Sequence, residues 1–126
     1  MQGLHLTADL HDCRCSPDWL TDAALLGQRC VQCVADADLQ TVAHLFHAFP
    51  PTHLGPGGVT ATVLLAESHL CIHTWPEQRA VTLDVYVCNF GGNHSSRAQA
   101  LMNALCTLFK PERLQRNSMQ RGELAQ

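Results

Sequence analysis

The stretch "GVTATVLLAESHLCIHTWPEQRAVTLDVYVC", residues 58–88, decides how this chain folds. It contains three runs, "VTATVLLA", "HLCIHTW" and "AVTLDVYVC", that are rich in β-branched and aromatic residues. Runs of this length and composition are typical of β-strands. We therefore expect three successive strands here.

The sequence on the N-terminal side adds two strands and a helix. "GLHLTADL", residues 3–10, alternates apolar and polar residues like a half-buried strand, and "LQTVAHLFHAF", residues 39–49, also predicts a strand. Between them, apolar residues recur at helical spacing to about residue 34. Ser16 is the candidate N-cap of this helix, with Pro17 at its first position.

A second helix is expected on the C-terminal side. Ser95 or Ser96 is the candidate cap, apolar residues recur as far as Phe109, and Pro111 ends the pattern. The resulting order, β-α-β-β-β-β-α, predicts an α+β fold. We expect a two-layer α/β sandwich in which a mostly antiparallel sheet carries two helices on one face.

Length and charge limit the function classes. The 126 residues suit a single domain over residues 1–110, followed by a polar C-terminal tail, residues 111–126, that we expect to be solvated or frayed. The net charge of −3 argues against nucleic acid as a partner and favours a cationic ligand. No apolar run of about 18 residues and no signal-like start are visible. We therefore expect a cytoplasmic protein without a membrane partner.

Seven cysteines is a high number for this length. The count is odd and no export signal is visible, so a disulfide framework is not expected. "CRC" and "CVQC" do not have the spacing of a closed tetrahedral zinc site, and "CVQC" falls within the predicted helix. We interpret most of these thiols as small buried side chains and expect no metal.

The strand "HLCIHTW" carries an unusual number of polar side chains. Period-two alternation places His69, Cys71 and His73 on one face. Ser68 lies at the turn into this strand, and Cys88 ends the next one. Taken alone, the pattern fits either a Ser/His or Cys/His nucleophile pair or structural residues that satisfy one another.

"GVTATVLLAESHLCIHTWPE", followed by "LDVYVC", strongly resembles the short-chain pyruvoyl-dependent S-adenosylmethionine decarboxylases of bacteria and archaea. The resemblance covers residues 58–88 almost without gaps, and "LHLTADLHDC" resembles the start of the family more loosely. It implies a self-processing enzyme of polyamine synthesis that works as a homodimer of cleaved protomers. It also implies that each active site lies near the subunit interface.

The family's processing chemistry, carried over by motif position, assigns the first set of site residues. The resemblance implies cleavage between Glu67 and Ser68, into residues 1–67 and 68–126, with Ser68 converted into the pyruvoyl group. His73 matches the histidine that assists the elimination step. Thr60 stands where the family usually has a serine that stabilises the intermediate. The pyruvoyl group would replace pyridoxal phosphate as electron sink, so no other cofactor and no metal is expected.

The resemblance also implies how the substrate is bound and turned over. A cationic, amino-acid-type substrate would form a Schiff base with the group made from Ser68. Cys88 matches the proton donor to the former α-carbon. Glu77 matches the glutamate that contacts the ribose hydroxyls. Leu54 stands where an ungapped alignment puts the family's adenine-stacking aromatic residue.

Departures from the family pattern keep two alternatives open. Leu54 lacks an aromatic face, so decarboxylation of L-ornithine or L-arginine on the same scaffold is an alternative. Thr60, Ala61 and the "NFGG" that follows Cys88 also differ from the usual residues. They motivate the second alternative, a regulatory subunit that does not process itself. His69 fits a structural contact as well as a direct role.

Overall fold

The computed structural model describes residues 2–122. Six strands and three helices follow one another as β1 Gln2–Cys13, α1 Asp18–Thr21, α2 Ala23–Asp36, β2 Thr41–Ala48, β3 Val59–Leu65, β4 Ser68–Trp75, β5 Ala80–Cys88, α3 Ser95–Phe109 and β6 Pro111–Gly122. A short 3-10 turn, Pro76–Gln78, joins β4 to β5. Within the described residues, no helix is long and apolar enough to cross a membrane.

The strands form one antiparallel sheet in the order β2-β3-β4-β5-β1-β6. The three runs of the deciding stretch become β3, β4 and β5, which are neighbours in the sheet. Their register places Thr60 opposite His73, and Leu65 opposite Ser68. The predicted α+β sandwich with a mostly antiparallel sheet is confirmed.

Alternation along each strand buries one face of the sheet against the helices. In β4, Leu70 and Ile72 are fully buried. His73, which lies between the buried residues Ile72 and Thr74, is exposed. Helices α2 and α3 cover the apolar face, and each packs against it through its buried apolar side chains. Burying this apolar area is the main stabilising term, at about 25 cal/mol per Å². The other sheet face carries no helix among the described residues.

The C-terminal segment differs from the prediction of a solvated tail. Residues 111–122 form β6, which pairs with β1 along nearly its whole length. The segment was not recognisable as a strand because almost all its side chains are exposed and polar, so it lacks an apolar alternation. Backbone hydrogen bonds to β1 hold it, helped by an Arg113–Asp12 ion pair of 3.0 Å. Residues 123–126 of the predicted tail lie outside the described residues.

The first residues and N-caps of the helices also differ from those predicted from the sequence. The predicted first helix is broken at Asp22, whose extended backbone ends α1 and whose carboxylate accepts a 3.0 Å hydrogen bond from the Leu25 amide at the start of α2. Ser16 accepts only a long 3.4 Å bond from Asp18, so Asp22 is the effective cap. Ser95 is the first residue of α3 rather than its cap.

Thr74 is the buried polar residue that ties the sheet to the helical layer. Its side chain is 5% exposed and lies on the apolar face of β4. The Thr74 hydroxyl donates a 2.6 Å hydrogen bond to the Leu20 carbonyl in α1 and accepts a 2.8 Å bond from the Val59 amide in β3. One hydroxyl therefore satisfies two buried backbone groups.

We predict that Thr74→Val lowers the free energy of unfolding by about 2–3 kcal/mol, because it leaves both backbone groups without a partner. Urea unfolding measures the change. The comparison is made in a Ser68→Ala background, in which the backbone bond that is expected to break stays intact. Thr82→Val, on the helix-free face, is the control and should change stability by less than about 0.5 kcal/mol. An unchanged midpoint for Thr74→Val would contradict the assignment.

Candidate active site

Ser68 and Cys88 meet at one end of the sheet. A tight turn of Ala66 and Glu67 joins β3 to β4, and Ser68 is the first residue of β4. The Ser68 hydroxyl accepts a 3.1 Å hydrogen bond from the backbone amide of Cys88 at the end of β5. The structure therefore brings the predicted cleavage site and the predicted proton donor together.

Glu67, on the other side of the expected cleavage point, has a strained backbone. Its φ is 54°, in the left-handed region that costs a non-glycine residue roughly 1–2 kcal/mol. A positive φ at the second residue of this two-residue connection is the pattern of a type II turn, a position that glycine or asparagine usually takes. The predicted cleavage position thus lies at an exposed, strained turn rather than inside a strand.

A cavity of about 480 Å³, which we call the Ser68 cavity, opens beside these residues. Glu67, Ser68 and Cys88 line it, together with three side chains that sequence reasoning missed: Phe90, His94 and Arg97. These three come from the loop after β5 and the start of α3. The "NFGG" segment had marked only a departure from the family pattern, with no signal that it borders the site.

His73 and Thr60 lie together elsewhere on the sheet. They face each other across β3 and β4, and the Thr60 hydroxyl is 3.1 Å from His73 Nδ1. A second cavity of about 200 Å³, the His73 cavity, is lined by both residues and by Phe49, Trp75 and Glu77. The predicted processing residues and the predicted ribose contact therefore share one cavity.

The two cavities are separate within one chain. Ser68 and His73 are five residues apart on β4, a distance of about 17 Å at about 3.3 Å per residue. The described linings of the two cavities share no residue. The structure thus brings together Ser68 with Cys88, and His73 with Thr60 and Glu77, but it does not bring the two groups together.

The structure places Phe49, and not Leu54, in the His73 cavity. Leu54 is 64% exposed in the following loop and is not among the lining residues, whereas Phe49 is 50% exposed and lines the cavity. Gly57 makes this possible, because a Cβ there would collide with the Phe49 carbonyl. The ungapped alignment through "PPTHLGPGG" missed this, and the signal available was the aromatic residue directly before Pro50.

The helix-free face carries a hydrogen-bonded array of two histidines and an aspartate. His5 Nε2 and His69 Nε2 lie 2.9 Å and 2.8 Å from the same Asp84 oxygen, Oδ2. Arg121 donates to His5 Nδ1 at 3.2 Å, and its guanidinium lies 5.2 Å from the centre of the Tyr86 ring. His69 therefore makes the structural contact that the sequence allowed, and a direct role for it stays a prediction.

The same three side chains form the one group among the described residues with the spacing of a metal site. Their hydrogen-bond pattern does not favour a metal. Because Arg121 is a donor to His5 Nδ1, the proton of the neutral ring is on Nε2, the atom a metal would need. The array is accounted for as a set of hydrogen bonds, and the expectation of no metal stays a prediction.

The seven cysteines are free thiols. Burial is the largest cause of the raised thiol pKa of Cys13, to about 11, and of Cys30, to about 12. Since folding favours the neutral thiol, these groups stabilise the fold below pH 9, and that contribution is lost as the pH rises from 9 towards 12. Cys30 lies in the "CVQC" pair of α2, which is buried in the core rather than arranged around an ion.

We predict that iodoacetamide at pH 8 alkylates the partly exposed Cys15 at least about tenfold faster than the buried Cys30 of the folded protein. The physical reason is that a thiol with a pKa of about 12 is thiolate in only about one molecule in ten thousand at this pH. Peptide mass mapping measures the rates, and in urea the two cysteines should react alike. Equal rates in the folded protein would contradict the burial of α2.

Comparisons with known proteins agree on one family. The family model for S-adenosylmethionine decarboxylase matches residues 4–122. The chain is 35% identical to the S-adenosylmethionine decarboxylase proenzyme of Aquifex aeolicus over 95% of this chain and 81% of that protein. It is 30% identical to the proenzyme of Archaeoglobus fulgidus over 95% and 97% of the two chains.

A solved structure supports the same relationship. The crystal structure of the adenosylmethionine decarboxylase from Aquifex aeolicus superimposes with a TM-score of 0.82 at 31% identity. The match covers 98% of this chain and 92% of that one. The match to the family model reaches the end of β6, so the strand that the sequence pattern missed belongs to the shared fold.

Proposed function

The chain belongs to the S-adenosylmethionine decarboxylase family, and we propose that it makes its own pyruvoyl group from Ser68. It is a carboxy-lyase that decarboxylates S-adenosylmethionine. The relatives described above are named for that substrate, and none of them supports the ornithine or arginine alternative. The observation that carries the proposal is the contact of Ser68 with Cys88 at the strained Glu67 turn. The cytoplasm is its proposed location.

Processing begins with the Ser68 hydroxyl. Attack of Oγ on the Glu67 carbonyl converts the amide into an ester, and the amide nitrogen takes up the proton. Loss of the Ser68 α-proton then expels the Glu67 carboxylate, and water replaces the nitrogen to leave a ketone and ammonia. The exposed turn gives Oγ access, and the left-handed strain at Glu67 is released when the bond breaks.

The processing reaction needs a base and a hydroxyl group near Ser68. His73, with the Thr60 hydroxyl 3.1 Å from its Nδ1, has both the type and the pairing for this role. Neither lies near Ser68 in the same chain, because β4 separates them by about 17 Å.

We therefore place each active site between two subunits. A two-fold axis that crosses β4 midway, near Cys71, brings the Ser68 end of one protomer's β4 over the His73 end of the partner subunit's β4, and it does so twice. The helix-free face offers the surface for this homodimer, since its polar array is only half-buried. The small-molecule substrate is then bound between the Ser68 cavity and the partner's His73 cavity.

The substrate contacts follow from the linings of the two cavities. Glu77 provides a carboxylate for the ribose hydroxyls, and Phe49 provides the aromatic face that the ungapped alignment predicts at the position of Leu54. When present, the pyruvoyl group supplies an electron sink beside the amine-bearing carbon. Cys88, buried next to Ser68, holds the proton that returns to that carbon after CO₂ leaves.

We predict that the purified protein consists of two fragments, residues 1–67 and 68–126, with the second blocked by pyruvate. Denaturing mass spectrometry measures both. Ser68→Ala should remain one chain because it has no nucleophile. An intact wild-type chain that does not react with hydroxylamine would instead favour the alternative of a non-processing regulatory subunit.

We predict that co-expression with Ser68→Ala restores cleavage of the His73→Ala chain. In the mixed dimer, one site combines an intact Ser68 with an intact His73 from the other chain, so only the His73→Ala chain is cut. Differently tagged chains and mass spectrometry identify the cut chain. Co-expression of His73→Ala with the Ser68→Ala/His73→Ala double variant is the control and should give no rescue. Failure of the first pair to cleave would refute the shared site.

We predict that Cys88→Ala still cleaves but loses decarboxylation of S-adenosylmethionine by about 100-fold or more, the usual size of a general-acid contribution. Release of CO₂ from carboxyl-labelled substrate measures the loss, with Cys106→Ala as a matched control that keeps activity. The same assay with ornithine and arginine tests the substrate, and faster turnover of either would overturn the assignment. Full activity of Cys88→Ala would remove Cys88 as proton donor.

A further inference from the structure

Cleavage between Glu67 and Ser68 creates a charge that the precursor does not have. One peptide bond and one water molecule give an α-carboxylate on Glu67, a ketone at position 68 and ammonia, which leaves. An α-carboxyl group has a pKa near about 3.5, so it is ionised at neutral pH. Because the new N-terminus carries a ketone in place of an amine, no ammonium group stands beside this carboxylate.

Arg97 is the one arginine among the described residues that line the Ser68 cavity. It lies in the first turn of α3, where Nη2 is 3.1 Å from Asp38 Oδ2 and Nη1 is 3.0 Å from His94 Nδ1. The Asp38 side chain is 84% exposed, so this ion pair is screened by water and weak. The guanidinium can therefore exchange Asp38 for another carboxylate.

The end that cleavage frees lies in the same cavity. Glu67 lines it, is exposed, and is held at a φ of 54° only while the hairpin is continuous. Breaking the bond to Ser68 removes that constraint, so the carboxyl end of residues 1–67 can turn within the cavity that Arg97 also lines. A guanidinium binds a carboxylate through two parallel hydrogen bonds, a geometry that lysine does not reproduce.

We propose that Arg97 binds the α-carboxylate of Glu67 that processing creates and holds the new chain end away from the ketone. This inference rests on the proposed function, because the carboxylate exists only after cleavage. Arg97 acts as a positioning residue through the chain end. Without it, a free carboxylate beside the ketone would repel the carboxylate of the incoming substrate and raise its KM.

Carboxypeptidase Y tests the contact directly, because it removes Glu67 only when the chain end is free. Processed wild-type protein and processed Arg97→Gln are digested in the native state, and mass spectrometry follows the 1–67 fragment. We expect Arg97→Gln to lose Glu67 about tenfold faster and Arg97→Lys to fall between the two. We also expect Arg97→Gln to raise KM about fivefold while kcat changes less than about twofold.

Arg116→Gln is the matched control and should behave as wild type, because among the described residues Arg116 bonds to Asn103 and Gln99 on the surface, away from the Ser68 cavity. Equal trimming of wild type and Arg97→Gln overturns this inference but leaves the proposed function intact, since both chains are cleaved. An uncleaved wild-type chain overturns both. If Arg97→Gln does not fold, Asp38→Asn decides: slower trimming than wild type supports the contact, and unchanged trimming refutes it.

Discussion

Alternation along β4 is the constraint on which the rest of the molecule depends. β4 pairs on both sides, with β3 and with β5, and its Leu70 and Ile72 belong to the buried core. A slip of one residue would turn its histidines into that core and bring its apolar side chains to the surface. The cost of burying unpaired imidazoles therefore fixes the register. That register in turn fixes Ser68 at the turn and His73 on the open face.

A rigid, doubly paired strand also determines what one chain cannot do. Ser68 and Cys88 are joined by a hydrogen bond at one end, and His73 and Thr60 face each other about 17 Å away. Bending β4 to bring them together would break ladder hydrogen bonds on both sides. The homodimer that we propose would bring the two ends of β4 together without distorting either sheet.

Prediction from sequence succeeded where side-chain pattern and structure coincide, as in β3, β4, β5 and α3. It failed where backbone hydrogen bonds or a single side-chain interaction determine the local structure. β6 is held by main-chain hydrogen bonds to β1 and leaves no apolar pattern to detect. The break at Asp22 depends on one side-chain cap. Phe49 reaches the His73 cavity because the loop folds back over it at Gly57, a path that no ungapped alignment contains.

The sequence by itself determined the family: "AESHLCIHTWPE" and Cys88 carry the resemblance to the pyruvoyl-dependent S-adenosylmethionine decarboxylases, because a motif of neighbouring residues can be recognised without any tertiary contact. The motif positions also predict which residues process the chain and donate the proton. Only the tertiary structure decided how those residues are grouped. Distances between strands, and the direction in which each side chain points, depend on pairing partners far away in the chain. These distances divide the residues between two cavities and add Arg97 and Phe49 to their linings.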